Sequence, residues 1–124
     1  MAKILVVDDS DSVRQQLGND LQAAGHTIVE GKDGIDGIKQ YNSHPDIQVV
    51  FADVNMPNMD GLTMIQNLVS TPNFKNVSFL MLTTEANDTM KARAKEYGVR
   101  AWIVKPYVLA KVLAAVEALT KKKT

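Results

Sequence analysis

Short apolar runs alternate with amphipathic segments along the whole chain. The apolar runs are continuous and rich in β-branched residues, which is typical of buried strands. They predict five strands, at residues 3–7, 27–30, 47–52, 77–82 and 101–104. Between them, apolar residues recur at helical spacing and predict five helices, at residues 11–24, 34–41, 60–69, 87–97 and 108–119. This strict alternation predicts a doubly wound α/β fold, a parallel sheet with helices on both faces.

The ends of several predicted helices carry capping residues. Asp33 and Asp60 stand where a side chain would accept a hydrogen bond from the first turn of a helix. Gly25 and Gly98 stand where a helix would stop. These positions support the predicted order of elements.

Composition places the chain among ordinary globular domains. It has 124 residues, of which 45% are hydrophobic and 23% charged, so we expect residues 1–124 to form one domain. We expect residues 121–124 to be a frayed basic tail. The sequence has no cysteine, no apolar run long enough to span a membrane and no signal-peptide pattern. A cytoplasmic location is therefore the expectation.

Charge is distributed unevenly although the formal net charge is zero. Residues 1–62 carry ten acidic and four basic side chains, whereas residues 63–124 carry four acidic and ten basic ones. This asymmetry suggests a cation site in the first half and an acid-seeking surface in the second. Chance clustering on solvated faces is the alternative. A chain without net positive charge is also a poor candidate for binding nucleic acid by itself.

Polar residues follow four of the five predicted strands. The first strand ends in Asp8-Asp9, the third in Asp53, the fourth in Thr83-Thr84 and the fifth in Lys105-Pro106. Sites in open α/β sheets form outside the carboxyl ends of the strands. We therefore expect three carboxylates, hydroxyl groups and one amine to converge on one crevice.

Three clustered carboxylates repel one another and are costly unless a cation binds them. Oxygen ligands without a nearby histidine or cysteine favour Mg²⁺. The alternative is that Asp8 and Asp9 only cap the first helix while Asp53 begins a turn. Capping does not explain why Asp53 and Lys105 both follow strands.

Four sequence blocks carry a resemblance to a known family: Ile4-Leu5-Val6-Val7-Asp8-Asp9, Asp53-Val54-Asn55-Met56-Pro57-Asn58-Met59-Asp60-Gly61, Leu82-Thr83-Thr84-Glu85 and Val104-Lys105-Pro106. With this spacing the whole chain resembles the receiver domains of two-component response regulators, of the single-domain chemotaxis type. The resemblance implies a flavodoxin-like sheet with strand order 2-1-3-4-5. It also implies a regulatory protein rather than an enzyme, limited to phosphoryl transfer to itself and autodephosphorylation.

The resemblance further implies roles for the acidic residues. Asp53 would be the phospho-acceptor, a carboxylate nucleophile that forms an acyl phosphate. Asp9 and Asp53 would bind Mg²⁺ directly, with Asp8 helping through water and the backbone carbonyl of Asn55 completing the protein's ligands. Lys105 would neutralise charge on the transferring phosphoryl group.

The same resemblance implies a switch. The Thr83 hydroxyl would turn towards the phosphoryl oxygens, and the Lys105-Pro106 peptide bond would be cis. Trp102 stands where such regulators commonly carry a mobile tyrosine, so we expect it to act as the aromatic switch. Simple packing of a half-buried indole is the alternative.

Two other departures from the family pattern concern the crevice. Thr84 replaces a smaller residue, and its bulk is expected to alter dephosphorylation. Val54 replaces a tryptophan that some members carry after the acceptor.

Partners follow from the resemblance as well. They would be a histidine kinase as phosphodonor, a phosphatase, and a target such as a flagellar motor switch protein or another relay protein. The target would dock on the fourth helix, fifth strand and fifth helix of a monomer. Three rivals stay open: an interaction module that is not phosphorylated, an Mg²⁺-dependent phosphohydrolase with Asp9 as nucleophile, and a flavin carrier.

Overall fold

The computed structural model describes residues 2–120 of the chain. Five parallel strands form one sheet: β1 (Lys3–Val7), β2 (Thr27–Gly31), β3 (Val49–Ala52), β4 (Ser78–Thr83) and β5 (Ala101–Val104). Their order in the sheet is β2-β1-β3-β4-β5. The predicted doubly wound fold and the 2-1-3-4-5 order are therefore confirmed. The expected basic tail at 121–124 lies outside the described residues.

Five helices connect and cover the strands: α1 (Asp11–Ala23), α2 (Gly34–Ser43), α3 (Gly61–Leu68), α4 (Asp88–Glu96) and α5 (Leu109–Thr120). The first four helices begin at a polar cap whose side chain accepts a backbone N–H three residues later; the caps are Ser10, Asp33, Asp60 and Asn87. Within residues 2–120, the structure contains no helix of the length and apolar character that crossing a membrane requires.

The pleat of the strands divides the core into two layers. Leu5 and Val7 of β1 face the cluster formed with α2, α3 and α4. Ile4 and Val6 face the opposite cluster, which contains residues of α1 and α5. Because helices cover both faces, every residue of β3 is buried. Helices cover the two faces of the sheet but not the carboxyl ends of its strands, where polar residues can gather.

Two strands begin later than predicted for the same reason: β3 at Val49 instead of residue 47, and β4 at Ser78 instead of residue 77. The N–H of Ile47 donates to the carbonyl of His44 at 3.1 Å, which closes a turn before β3. A short 3₁₀ helix at Phe74–Asn76 was not predicted, and the N–H of Val77 donates to the Phe74 carbonyl at 3.1 Å. In both cases an apolar residue is buried like a strand residue but its N–H is already used.

Candidate functional site

The parallel register brings the polar strand ends to one edge of the sheet. Val7 pairs with Ala52, so Asp8 and Asp53 leave adjacent strands side by side. Thr83 pairs with Val104, which places the following Lys105 next to the end of β4. Main-chain hydrogen bonds continue these ladders, from the Asp53 N–H to the Val7 carbonyl at 3.1 Å and from the Lys105 N–H to the Thr83 carbonyl at 2.9 Å.

Lys105 lies between two buried carboxylates. Its Nζ donates to Asp8 Oδ2 at 2.7 Å and to Asp53 Oδ2 at 3.0 Å. Burial raises the pKa of Asp8 despite the bond from the lysine. Burial also opposes the charge on Lys105, but its hydrogen bonds to Asp8 and Asp53 outweigh this and raise the pKa of the ammonium group. The lysine is therefore a permanent cation at the floor of the crevice.

Asp9 completes a cluster of three acids. One carboxylate oxygen from each of Asp8, Asp9 and Asp53 lies within 4.8 Å of the other two, and Asp9 is the exposed member. The N–H of Asn55 approaches Asp53 Oδ1 at 3.4 Å, so the loop after β3 turns back towards this carboxylate. Three acids against one lysine leave the crevice negative, and its oxygen donors suit a hard divalent cation.

The alternative that Asp8 and Asp9 only cap α1 is wrong. The cap is Ser10, whose hydroxyl accepts the N–H of Val13 at 3.3 Å. The Asp8 side chain accepts the Ser10 N–H at 2.9 Å through Oδ1 and the Lys105 ammonium at 2.7 Å through Oδ2. Asp8 therefore contributes to the crevice as well as to the turn before α1.

The hydroxyl of Thr83 lies at the fully buried end of β4. Its Oγ1 accepts the N–H of Glu85 at 3.2 Å. Thr84 is exposed and lines a cavity of about 330 Å³ beside Lys105. Val54 is only 2% exposed and belongs to the core. Of the two departures from the family pattern, only Thr84 borders the crevice.

Trp102 is half-buried on β5, against the core layer of α2, α3 and α4. Its indole N–H donates to the carbonyl of Glu85 at 2.8 Å. Glu85 is thus held at both of its peptide groups, by Thr83 on one side and Trp102 on the other. The switch role expected for Trp102 stays a prediction, and the sequence did not predict this contact.

A bridge across the mouth of the crevice was also missed. The Asn55 side-chain amide donates to Glu85 Oε1 at 2.8 Å and links the loops after β3 and β4. Asn55 lies two positions after Asp53, and Glu85 lies two positions after Thr83. Because Asp53 and Thr83 both lie at strand ends, this equal spacing is the signal that could have paired Asn55 with Glu85.

Gly61 allows the loop after β3 to fold tightly. Its N–H donates to the Val54 carbonyl at 3.0 Å. A Cβ atom at Gly61 would lie 2.0 Å from the carbonyl oxygen of Asp53, so a side chain here cannot be accommodated without moving Asp53. The preceding Asp60 caps α3 and fixes where that helix starts.

A five-stranded doubly wound sheet with an acidic cluster and one lysine at its carboxyl edge defines a receiver-type signalling domain. The family model of the response regulator receiver domain matches residues 4–117, and the chain belongs to this family. Receiver domains bind Mg²⁺ at an acidic cluster, and the cluster of three aspartates is consistent with this property.

The chain is similar to chemotaxis proteins along most of its length. It is 34% identical to chemotaxis protein CheY1 of Helicobacter pylori over 106 residues, which are 85% of this chain and 86% of that protein. The structure of chemotaxis protein CheY4 of Vibrio cholerae superposes with a TM-score of 0.89 at 34% identity, covering 96% of this chain and 98% of that one.

A third relative was solved with ligands. It is the CheX–CheY–BeF3–Mg²⁺ complex from Borrelia burgdorferi, with a TM-score of 0.89 at 31% identity, covering 98% of this chain and 90% of that one. The chain is therefore a CheY-like receiver domain, and the family assignment argues against the flavin-carrier alternative.

Proposed function

We propose that residues 1–124 act as a stand-alone response regulator that accepts a phosphoryl group on Asp53 from the phosphohistidine of a histidine kinase. The observation that supports this most directly is the position of the Asp53 carboxylate. The Asp53 side chain is 11% exposed, its carboxylate lies 3.0 Å from the Lys105 ammonium, and it clusters with the carboxylates of Asp8 and Asp9. A buried acid with a cation beside it suits a nucleophile that receives an anionic group.

In the proposed step, a carboxylate oxygen of Asp53 attacks phosphorus. The new O–P bond forms while the P–N bond to the donor imidazole breaks, and the nitrogen keeps the electron pair. Lys105 then exchanges its bond to Asp53 for the phosphoryl oxygens, where it neutralises developing charge. The product is an acyl phosphate on the protein itself, so the chain is a regulator with no turnover on other substrates.

The residues present fit an Mg²⁺ ion. Asp9, Asp53 and the backbone carbonyl of Asn55 would bind it, with Asp8 acting through water. Within residues 2–120 this cluster offers oxygen atoms alone, and one lysine cannot balance three carboxylates. When bound, the ion supplies the remaining positive charge for the phosphoryl oxygens.

The switch in this proposal runs through Glu85. A phosphoryl group adds roughly −1.5 to −2 charges and strong acceptors, which would draw the Thr83 hydroxyl away from the Glu85 N–H. The Glu85 carbonyl holds the Trp102 indole, so a shift of this loop also releases or reorients Trp102. The side chains on the surface of α4, β5 and α5 would thereby change from one packing arrangement to another.

That surface is the proposed output. A groove of about 290 Å³ beside Trp102 is lined by Lys91, Lys95 and Arg100, all exposed. Its charge favours an acidic segment of a target such as a flagellar motor switch protein or another relay protein. The names of the relatives support a chemotaxis pathway. We also propose that a phosphatase acts on the phosphorylated protein, that the protein is cytoplasmic and that it is a monomer.

The test is intact-mass measurement after incubation with Mg²⁺ and a small phosphodonor such as acetyl phosphate. We expect one added phosphoryl group in the wild type and none in Asp53→Asn. Asp60→Asn is the matched control, because it removes an aspartate that caps α3 outside the crevice. Absence of the adduct in folded, Mg²⁺-loaded wild type would contradict the proposal and favour the interaction-module alternative.

The phosphohydrolase alternative is separated by a second measurement. It requires turnover of a phosphate ester that is lost in Asp9→Asn but kept in Asp53→Asn. The proposed receiver chemistry requires that neither protein, nor the wild type, turns over such an ester.

A further inference from the structure

A hydrogen bond ties the segment after Lys105 to the first helix. The phenol of Tyr107 donates to Asp20 Oδ2 at 2.9 Å, joining the β5–α5 loop to the second half of α1. Burial, and then the bond to Asp20, raises the pKa of Tyr107 to about 12, so the phenol stays a donor throughout the physiological range. Both side chains are half-buried.

The Tyr107 ring packs against the core layer of α1 and α5, but the loop has few other hydrogen bonds. The sheet ladder ends where the Lys105 N–H donates to Thr83, and Pro106 has no N–H. The next main-chain bond, from the Lys111 N–H to the Val108 carbonyl at 3.0 Å, belongs to the start of α5. Among the residues that the structure describes, the Tyr107 phenol makes the one hydrogen bond from segment 106–108 to an element other than α5.

The loop also has room to move. The cavity of about 330 Å³ that borders the crevice lies between α1 and this loop, and its lining includes Val13, Gln16 and Tyr107. Empty space on one side of a segment removes the packing contacts that would resist a shift. The ammonium of Lys105, by contrast, must meet two carboxylates at 2.7 and 3.0 Å.

The hydrogen bond between Tyr107 and Asp20 matters because it connects the β5–α5 loop to α1. The helix begins three residues after Asp8, and its second half carries Asp20. A tether from Asp20 to Tyr107 therefore fixes the lysine-bearing loop relative to the same rigid element that follows the acidic pair.

We infer that Tyr107 and Asp20 are positioning residues, whose hydrogen bond holds Lys105 at the distance from Asp8 and Asp53 that phosphoryl transfer needs. This inference rests on the proposed function of Asp53. Neither residue touches the reacting atoms, and both act through the lysine.

The experiment measures the rate of phosphorylation by acetyl phosphate at saturating Mg²⁺ in four variants. Tyr107→Phe keeps the ring and loses the donor, and Asp20→Ala loses the acceptor. We expect each to slow the reaction about tenfold, since a displacement of about 1 Å can cost up to ~10²-fold in rate. The double variant should be no slower than either single one, because the two groups act as one unit. Asp20→Asn, whose amide carbonyl can accept the phenol, should retain most of the rate.

Mg²⁺ affinity, measured by calorimetry on the same proteins, separates positioning from general damage. A loosened Lys105 competes less for the carboxylates, so the variants should bind Mg²⁺ as tightly as the wild type or more tightly while reacting slowly. Tyr41→Phe is the matched control, since it removes a phenol that shares a 2.9 Å hydrogen bond with Thr71 on the other side of the sheet. It should leave the rate unchanged.

The outcomes are distinct. If the wild type takes up a phosphoryl group and the Tyr107→Phe and Asp20→Ala variants react as fast, the inference is wrong while the proposed function stands. Parallel losses of rate and Mg²⁺ affinity would also overturn it, because they indicate disordering of the whole crevice. If the wild type takes up no phosphoryl group, the proposed function fails and the inference fails with it.

Discussion

Replacing Lys105 with methionine tests the electrostatics of the crevice directly. Methionine keeps much of the side-chain volume and removes the cation that lies between Asp8 and Asp53. The three side chains are 16%, 3% and 11% exposed for Lys105, Asp8 and Asp53, so water does little to screen them. The substitution leaves two buried carboxylates without their shared partner.

The size of the effect follows from the distances. At an effective dielectric constant of about 20, unit charges separated by 2.7 and 3.0 Å attract by about 6 and about 5.5 kcal/mol. Much of this attraction offsets the cost of burying the charges, and removal of one partner of a buried pair typically costs about 3–5 kcal/mol. Asp8 limits the loss because its pKa is already raised and it can take up a proton. We therefore expect the free energy of unfolding to fall by about 3 kcal/mol at neutral pH.

The pH dependence has a definite sign. Without the lysine, burial holds the folded-state pKa of Asp8 above its value in the unfolded chain. The penalty is then absent when both states are protonated and grows as the pH rises through the unfolded value of about 3.9 towards neutrality. Urea denaturation followed by circular dichroism, in EDTA and across this pH range, measures it.

Mg²⁺ provides an internal check. It should stabilise Lys105→Met more than the wild type, and at roughly 100 times its Kd it would restore about 2.7 kcal/mol. Lys111→Met removes an exposed lysine of α5 and should change stability by less than about 0.5 kcal/mol. Equal stabilities of Lys105→Met and the wild type in EDTA at neutral pH would refute the reasoning.

Four further predictions concern other residues. Gly61→Ala should destabilise the protein by more than about 2 kcal/mol in urea denaturation, because its Cβ would clash with the backbone carbonyl of Asp53. Gly18→Ala, where the nearest side-chain atom is at 3.5 Å, should instead stabilise α1 by roughly 0.5–1 kcal/mol. Burial lowers the pKa of His26, whose Nδ1 accepts the Ala2 N–H, so stability should fall as the pH drops below about 6.5, and His26→Gln should remove that dependence. Trp102 is the single tryptophan, so its fluorescence should change when Mg²⁺ and beryllofluoride are added, and an unchanged spectrum would contradict its switch role.

The order of the fold was open to sequence reasoning because apolar runs and caps are local signals. Asp33 and Asp60 cap helices where predicted, since an N-cap needs only its own next three residues. The start of β3 was not predictable in the same way. Ile47 is apolar and β-branched, as strand residues often are. Its N–H, however, donates to the His44 carbonyl in a turn whose position depends on where α2 ends.

The candidate site likewise has a part that local sequence signals predict and a part that they do not. That Asp8, Asp53 and Lys105 meet follows from the parallel sheet, because each stands directly after a strand. The bond between Tyr107 and Asp20 could not be read from the sequence. It joins residues 87 positions apart, and neither stands at a strand end or a helix cap.

The uneven charge of the two halves of the chain acquires a physical meaning in the structure. The acidic half supplies the three clustered aspartates, and the basic half supplies both Lys105 and the exposed cations along the groove beside Trp102. Because the lysine comes from the second half, the crevice is partly neutralised by a residue that directly follows β5, a strand of the proposed output surface. A ligand that competes for Asp53, whether a cation or a phosphoryl group, would therefore act on Lys105, and so on the loop that joins β5 to α5. The proposed coupling between the crevice and this surface would rest on that competition.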